Sequence, residues 1–225
     1  MLREDCGSSR PTASAATRRS AFRGMLSSVA SGRLPLVLKL HVIIASTRPG
    51  RVGLPIGNWF FARAKAHAKL EVTLVDLKEV GLPLYDEPQH PRLEKYEHAH
   101  TKAWSQSVRA ADAFVIVTPE YNFSAPPALV NALDYLYNEW NYKPVAFVSY
   151  GGISGGLRAV QHAKNVVTSM KMVPIVESVT LPFAAKLVAD EKFAATEAHD
   201  KSAEVMLEEL LRWAEALAPM RAPKP

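Results

Sequence analysis

Hydrophobic runs of strand length alternate with stretches of helical periodicity from position 37 onward. The run at 113–118 (AFVIVT) is apolar without alternation, which is typical of a central strand in a parallel sheet covered on both faces. The run at 144–150 (PVAFVSY) predicts another strand. The run at 71–77 (EVTLVDL) alternates polar and apolar residues and is typical of a less buried strand. Two further runs, at 37–45 and 172–180, complete five predicted strands.

Five stretches with apolar residues at three- and four-residue spacing predict helices over 54–69, 93–110, 127–137, 156–171 and 198–217. The inward face of the first helix is predicted to carry Ile56, Phe60, Ala64 and Ala68. That of the second is predicted to carry Leu93, Tyr96, His100, Ala103 and Ser107. That of the last is predicted to carry Ala203, Met206, Leu210, Trp213 and Leu217.

This alternation predicts an α/β fold with a doubly wound, five-stranded parallel sheet of order 2-1-3-4-5 and helices on both faces. Pro174 cannot donate a ladder hydrogen bond, so the fifth strand belongs at an edge. Such sheets bind ligands beyond the carboxyl ends of their strands, next to the switch between strands one and three. The residues that follow strands one, three and four are therefore the candidates for a site.

Composition is consistent with one domain over positions 37–220, because 225 residues that are 48% hydrophobic can build a single substantial core. No run approaches the roughly 20 apolar residues that a membrane-spanning helix needs. The only cysteine is Cys6, which excludes an intrachain disulfide and a cysteine-bound metal centre.

Positions 1–36 form a basic extension that we expect to be disordered. Residues 1–40 hold seven of the 27 Lys and Arg residues and two of the 22 acids, so the net charge of +5 belongs to this end. The balanced remainder disfavours nucleic-acid binding. The Arg-rich leader fits a mitochondrial transit peptide, a plain tail or a start that lies at Met25. We expect a cytoplasmic protein, with a mitochondrial destination left open by this extension.

A polar loop, STRPGRVG at 46–53, follows the first strand and leads into a predicted helix. Its hydroxyls and two guanidiniums adjoin the free N–H groups of a helix start, and together these suit a phosphate monoester. The loop matches neither the G-x-G-x-x-G dinucleotide motif nor the G-x-x-x-x-G-K-[ST] phosphate loop. On these residues alone, an ordinary polar turn remains the alternative.

Two more loops leave the same end of the sheet. The segment 118–127 (TPEYNFSAPP) has three prolines that restrict the backbone, and Tyr121 offers apolar area for a flat heteroaromatic ring. The segment 150–156 (YGGISGG) has paired glycines, which permit positive φ and a close approach of the backbone to a ligand. A stiffened turn and a helix-capping turn are the alternatives. Together the three loops can form one site.

The stretches STRPGRVG, TPEYNFSAPPALVNALDYL and SYGGISGG resemble the NADPH-dependent FMN reductase family, flavodoxin-like reductases that include quinone, azo-dye and chromate reductases. The resemblance covers positions 37–182 and includes LPLYD at 82–86. It implies a flavodoxin-like fold, FMN as cofactor, and NADPH or NADH as cosubstrate. The sequence leaves that choice open, because Arg48 or Arg51 could bind a 2′-phosphate or be engaged by FMN.

The resemblance also assigns roles to residues. The FMN phosphate would be held by Ser46, Arg48 and the amides of Val52 and Gly53. The isoalloxazine ring would be lined by Pro119, Glu120, Tyr121 and Asn122, and its pyrimidine end would be closed over by Tyr150, Gly151 and Gly152. Glu120 either sets the electrostatics of the ring, or the geometry of a partner subunit, or is a solvated loop carboxylate. We nominate no catalytic acid or base and no metal ligand.

The expected function is therefore FMN-dependent reduction of flavin, quinone, azo or similar acceptors by ping-pong hydride transfer from NAD(P)H. Two alternatives stay open. Gly152 to Gly156 fits the G-x-S-x-G motif of serine hydrolases with Ser154 as nucleophile, and Asp190 and His199 follow in triad order. A non-enzymatic flavodoxin-like electron carrier is the other, although such carriers are usually acidic and the body of this chain is neutral.

The resemblance also implies partners. Short reductases of this kind are usually dimers or tetramers, so we expect a homodimer or homotetramer, with a small-molecule electron acceptor as the other partner. The segment 135–140 (YLYNEW) is the candidate subunit contact. Trp59, Trp104 and Trp213 are expected to be core or interface residues.

Overall fold

A computed structural model describes residues 37–221 as a three-layer α/β sandwich. Its central strands are β1 Leu38–Ile44, β2 Leu70–Asp76, β3 Ala113–Pro119, β4 Pro144–Tyr150 and β5 Val173–Leu181. They pair in parallel in the order β2-β1-β3-β4-β5. This confirms the predicted doubly wound, flavodoxin-like fold, and each strand agrees with its predicted span to within one residue at either end.

The helices are α1 Gly53–Lys65, α2 Leu77–Val80, α3 Ala99–Ala110, α4 Pro127–Asp134, α5 Leu157–Ser169 and α6 Glu197–Arg221. One face of the sheet packs against α1 and α6, and the other packs against α3, α4 and α5. Along β3, Val115 and Val117 point to the first face, whereas Phe114 and Ile116 point to the second. Helices cover both faces of the sheet, which explains why this strand shows no alternation of polar and apolar residues.

The second predicted helix begins six residues later than expected. A short 3₁₀ turn at Pro91–Leu93 ends at Glu94, whose φ of 52° lies in the left-handed region, and α3 starts only at Ala99. The predicted inward face is also wrong, since Trp104 and Val108 are buried and Leu93 is 54% exposed. The cause lies outside the helix: the buried Glu87 carboxylate accepts the backbone N–H groups of residues 97 and 98 and holds this segment extended.

Three smaller differences concern the outer layers. Ala68 lies beyond the end of α1 and is exposed, and Trp213 is 39% exposed, so its predicted inward orientation is wrong. Ala214 takes the buried position on α6 instead. An antiparallel pair, β6 Val188–Ala189 and β7 Lys192–Phe193, was not predicted. Its Phe193 ring packs edge-on against Trp59 at 5.1 Å between centroids.

The strand β5 forms an edge, as Pro174 predicted, and it pairs only with β4 among the described strands. Pro174 lies opposite Val145, and the register then shifts between Val145 and Phe147. Val176, on the irregular stretch, is 83% exposed. A proline and a bulge therefore interrupt the outer rim of the sheet.

The segment predicted as a subunit contact belongs mainly to the core of the chain itself. Tyr135, Leu136, Glu139 and Trp140 are each at most 2% exposed, so the assignment of a contact to 135–140 is corrected. The predicted basic extension at positions 1–36 lies outside the described residues. Between residues 37 and 221, no helix combines the length and apolarity needed to cross a membrane.

Candidate functional site

Three loops meet at the carboxyl edge of the sheet, beyond β1, β3 and β4, around an open cavity of about 190 Å³. All but three of the predicted site residues line it, and the exceptions are Gly53, Asn122 and Gly152. The cavity also takes in Arg51, Ala184 and Ala185. The two alanines follow β5, and sequence patterns gave no sign of them because small side chains carry no chemistry that marks a site.

The first loop ends at an uncapped helix. Val52 is the N-cap residue of α1 and offers no side-chain hydrogen bond to the first turn. The N–H groups at a helix start have no intrahelical acceptor, and their dipoles favour an anion. Residues 47–50 are exposed, Gly50 has a φ of 66°, and Val52 lines the cavity at the start of the helix. This end of the site suits a phosphate group.

The two arginines of this loop differ in their surroundings. Arg51 donates from Nη1 to the carbonyl oxygen of Ser46 at 2.8 Å and forms an ion pair with Asp76 at the end of β2. Its side chain is only 8% exposed. Arg48 is exposed, lines the cavity and has no ion-pair partner within residues 37–221. Arg48 is therefore the guanidinium that can meet a ligand here.

Tyr150 belongs to the third loop by sequence, but its side chain reaches the first. A Cβ at Gly53 would lie 2.2 Å from the Tyr150 hydroxyl oxygen, so this hydroxyl lies directly against the first residue of α1. The hydroxyl is buried without a hydrogen-bond partner in the described part of the chain. Burial raises the pKa of the Tyr150 phenol, so it stays a neutral donor. The Tyr150 side chain thus lies beside the first loop, and the contact of Tyr150 with a pyrimidine ring stays a prediction.

The second loop contains a tight turn with two strained residues. Tyr121 and Ser124 exchange backbone hydrogen bonds of 3.0 and 2.9 Å, and the residues between them, Asn122 and Phe123, have φ of 49° and 67°. Positive φ at both central positions is the geometry of a type I′ turn. The left-handed region is costly for Phe, so neighbouring contacts must hold it. One such contact is the Arg158 guanidinium, 3.9 Å from the centre of the Phe123 ring.

Glu120 is neither solvated nor directed at the cavity as a free carboxylate. Its side chain, 7% exposed, accepts hydrogen bonds from Ser154 Oγ at 2.8 Å and from the Arg158 backbone N–H at 3.1 Å and Nε at 2.6 Å. Burial alone would raise the pKa of the Glu120 carboxyl, but these hydrogen bonds outweigh it and hold the pKa below its ordinary value. Glu120 therefore fastens the second loop to the third.

The third loop uses its second pair of glycines for the left-handed conformation. Gly155 and Gly156 have φ of 59° and 89°, whereas Gly151 and Gly152 do not have positive φ. A Cβ at Gly156 would lie 2.8 Å from the Tyr150 backbone nitrogen. The N–H of Gly151 donates to the Leu181 carbonyl at 3.3 Å. The glycines thus pack the loop against β4 and β5, and Gly152 remains exposed at the rim.

The contacts of Ser154 do not support a hydrolase triad. Its hydroxyl donates to Glu120, and no histidine accepts from it in the described structure. The candidate base, His199, accepts the backbone N–H of Thr196 through Nδ1 at 3.1 Å and stacks on Phe193. No group of three or more His, Cys, Asp or Glu side chains in residues 37–221 is arranged to hold a metal ion.

The residues present fit the phosphate end of a flavin mononucleotide. An uncapped helix start, one uncommitted guanidinium and a buried hydroxyl without a partner converge from two loops. Ser46 adds a hydroxyl oxygen 3.0 Å from the Tyr121 hydroxyl, which links this end to the second loop. An anionic group would satisfy donors that otherwise lack acceptors.

Comparison with known proteins identifies the family of this chain. The profile of the family described as NADPH-dependent FMN reductase matches residues 38–186. An NAD(P)H-dependent FMN reductase of Schizosaccharomyces pombe is 41% identical over 153 residues, which cover 66% of this chain and 76% of the relative. A quinone reductase of Escherichia coli is 37% identical over 107 residues, covering 45% of this chain and 55% of the relative.

Among solved structures, the flavoenzyme NAD(P)H:(acceptor) oxidoreductase FerB of Paracoccus denitrificans superposes with a TM-score of 0.62 at 24% identity. The match covers 80% of this chain and 98% of FerB, and it supports the fold. The profile spans β1 to the segment after β5 and so includes all three loops of the cavity. The chain therefore belongs to the NADPH-dependent FMN reductase family.

Proposed function

We propose that this protein is an FMN-dependent oxidoreductase that uses NADPH or NADH to reduce a small-molecule acceptor such as a flavin, a quinone or an azo compound. The single observation that carries this is that the cavity between the three loops is lined both by Arg48, whose guanidinium has no ion-pair partner among the described residues, and by Val52, the N-cap of the uncapped helix α1. Further support comes from the family membership of the chain and from its similarity to an NAD(P)H-dependent FMN reductase and a quinone reductase.

The first loop would hold the FMN phosphate through Ser46, Arg48 and the amides of Val52 and Gly53. The predicted ring contacts are Pro119, Glu120, Tyr121 and Asn122, of which Glu120 contributes backbone, since its carboxylate is engaged by Arg158 and Ser154. Gly151 and Gly152 would approach the pyrimidine end with their backbone. When bound, FMN supplies the chemistry by accepting a hydride from NAD(P)H and passing electrons to the acceptor.

The side chains around the cavity need only bind and orient. Glu120 is held ionised by its partners and Tyr150 is held neutral by burial, so neither is positioned to move a proton at neutral pH. The cavity is open on one side and carries one uncommitted guanidinium. If Arg48 serves the FMN phosphate, none of the guanidiniums that line the cavity remains for a 2′-phosphate. We therefore expect NADPH and NADH to differ by less than about tenfold in kcat/KM, which corresponds to about 1.4 kcal/mol.

The test is to purify the full chain and record its visible absorption for bound flavin. Initial rates of NADPH and NADH oxidation are then measured at several quinone concentrations. Parallel double-reciprocal lines are expected, because nicotinamide leaves before the acceptor enters the same open site. Intersecting lines would contradict the ping-pong scheme. Bound flavin without NAD(P)H oxidation would instead identify an electron carrier, and esterase activity abolished by Ser154→Ala would identify a hydrolase.

The number of chains in the assembly and the compartment in which they work are also part of the proposed function. We propose a homodimer or homotetramer, supported by the resemblance to short flavodoxin-like reductases. We also propose a cytoplasmic location, with a mitochondrial one left open by the basic extension. Light scattering of the purified chain measures the number of chains in the assembly, and a single-chain mass would refute the oligomer. Cell fractionation together with mass spectrometry of the native N-terminus tests the location. A processed chain recovered from mitochondria would overturn the cytoplasmic assignment.

A further inference from the structure

We propose that Arg51 and Asp76 form a brace that shapes the phosphate loop, and that Arg51 is a positioning residue and not a ligand of the phosphate. The inference rests on the proposed function, because it concerns how the same site distinguishes a flavin that carries a phosphate from one that lacks it. It assigns different roles to two arginines that lie three positions apart on one loop.

The contacts of Arg51 join the two ends of the loop to a neighbouring strand. Its Nη1 donates to the carbonyl oxygen of Ser46 at 2.8 Å, and its Nη2 is paired with Asp76. Ser46 lies just beyond the end of β1, and Asp76 is the last residue of β2, in register with Ile44. One planar guanidinium therefore closes the loop from residue 46 to residue 51 and fixes it to the sheet.

Burial shows that this guanidinium is committed to the protein. The side chains of Arg51 and Asp76 are 8% and 14% exposed. A partly buried pair with good geometry is costly to break, because each charge would lose its partner without regaining full solvation. Arg48, on the exposed part of the same loop, has no such partner among the described residues.

The brace positions the groups that would face the phosphate. With residues 46 and 51 fixed, the four exposed residues between them turn at Gly50, and the chain enters α1 with its first N–H groups uncapped. The same anchor holds Ser46, whose Oγ lies 3.0 Å from the Tyr121 hydroxyl. Preorganised donors bind an anion more tightly than donors that must be ordered on binding.

The substitution Asp76→Asn separates the two roles because they predict changes of opposite sign. Asn at position 76 still caps α2, where the Asp76 carboxylate now accepts the Lys78 N–H at 3.0 Å, so the local turn is preserved. If Arg51 is a brace, FMN binding weakens because the loop loosens. If Arg51 contacts the phosphate, removing its counter-charge frees the guanidinium, and FMN binding stays the same or tightens.

The experiment titrates the flavin-free full chain with FMN and with riboflavin and follows quenching of flavin fluorescence. For Asp76→Asn we expect the Kd of FMN to rise about tenfold while that of riboflavin changes less than about twofold. Arg51→Lys keeps the charge but cannot bond both partners, and the same selective loss is expected. Asp112→Asn is the matched control, since it removes an ion pair to Arg221 away from this loop, and the two Kd values should stay unchanged.

The outcomes are distinguishable. Riboflavin binding reports that each variant has retained the fold. If Asp76→Asn does not fold, Asp76→Ser takes its place, because Ser also caps α2 and also removes the counter-charge of Arg51. A wild-type chain that binds neither flavin would refute the proposed function itself. A wild-type chain that prefers FMN, with that preference kept in the Asp76→Asn or Arg51→Lys variant, would overturn the brace and leave the proposed function standing.

Discussion

Removal of the Tyr150 hydroxyl should make the flavin-free protein more stable and the flavin complex weaker. Tyr150 is 4% exposed and its ring packs in the core. Ser46 lies near enough to lower the pKa of the phenol, but no hydrogen bond of good geometry reaches the hydroxyl oxygen in the described structure. An unsatisfied buried polar group costs about 1–3 kcal/mol. The substitution Tyr150→Phe keeps the ring and removes that cost, so we expect a gain of about 1 kcal/mol in the free energy of unfolding without flavin.

Urea unfolding of the flavin-free chain measures this gain, and repetition with saturating FMN measures the second effect. Ligand binding adds stability according to the ratio of ligand concentration to Kd. If the hydroxyl donates to the phosphate, the variant gains less from FMN than the wild type does. Tyr135→Phe is the matched control, because the Tyr135 hydroxyl donates to Asp86 Oδ1 at 2.8 Å and its loss should destabilise the protein by about 1–2 kcal/mol. A flavin-free Tyr150→Phe variant that is less stable than the wild type would refute the reasoning.

Three further predictions concern the scaffold. His41, 5% exposed, has its pKa lowered to about 4 by burial, then by Lys143 and Lys39. The unfolded chain binds this proton near pH 6.5, so the free energy of unfolding should fall by roughly 3 kcal/mol from pH 6.5 to 4. Urea unfolding at each pH measures this dependence, and His41→Leu should make it weaker. Glu139→Ala should cost about 1–3 kcal/mol by chemical unfolding, because its fully buried carboxylate accepts from Tyr96, Ser105 and Arg109 and its loss leaves the buried Ser105 hydroxyl without this acceptor. The exposed Glu94, which pairs with the same arginine, should cost under about 1 kcal/mol when replaced by Ala, and equal losses would contradict the argument. Gly156→Ala should lower the free energy of unfolding by at least about 2 kcal/mol, because its φ is 89° and a Cβ would clash with the Tyr150 backbone. Gly152→Ala is the control, since the space around Gly152 is open and the melting temperature should stay unchanged.

The sheet could be predicted from sequence because strands that are buried on both faces consist mainly of apolar residues. Residues 113–119 and 144–150 are buried throughout, so each strand reads as an unbroken apolar run. The start of α3 could not be predicted in this way. It depends on Glu87, a carboxylate ten residues upstream in sequence that captures two backbone N–H groups. Periodicity within a window carries no information about such a partner.

The sequence predicted which three loops form the candidate site. It did not predict the contacts that several side chains make there. Arg48 and Arg51 look alike in sequence, and only the position of Asp76 at the end of a neighbouring strand distinguishes them. For Glu120 the sequence left open a role at the ring, a role in the geometry of a partner subunit and a solvated carboxylate, and it gave no sign of Arg158, 38 residues later, as its partner. Pairings across loops depend on the packed fold, so motif spacing places a residue near a site without stating what it does there.

The interrupted outer rim of β5 has a consequence for how copies of this chain can associate. An unbroken edge strand is a template on which another chain can add a strand through backbone hydrogen bonds. Pro174 removes one donor from that template, and the register shift beside Val145 disrupts the spacing of the others. Sheet continuation across this edge is therefore disfavoured. Any stable assembly of these chains should therefore join through surfaces other than the β5 edge.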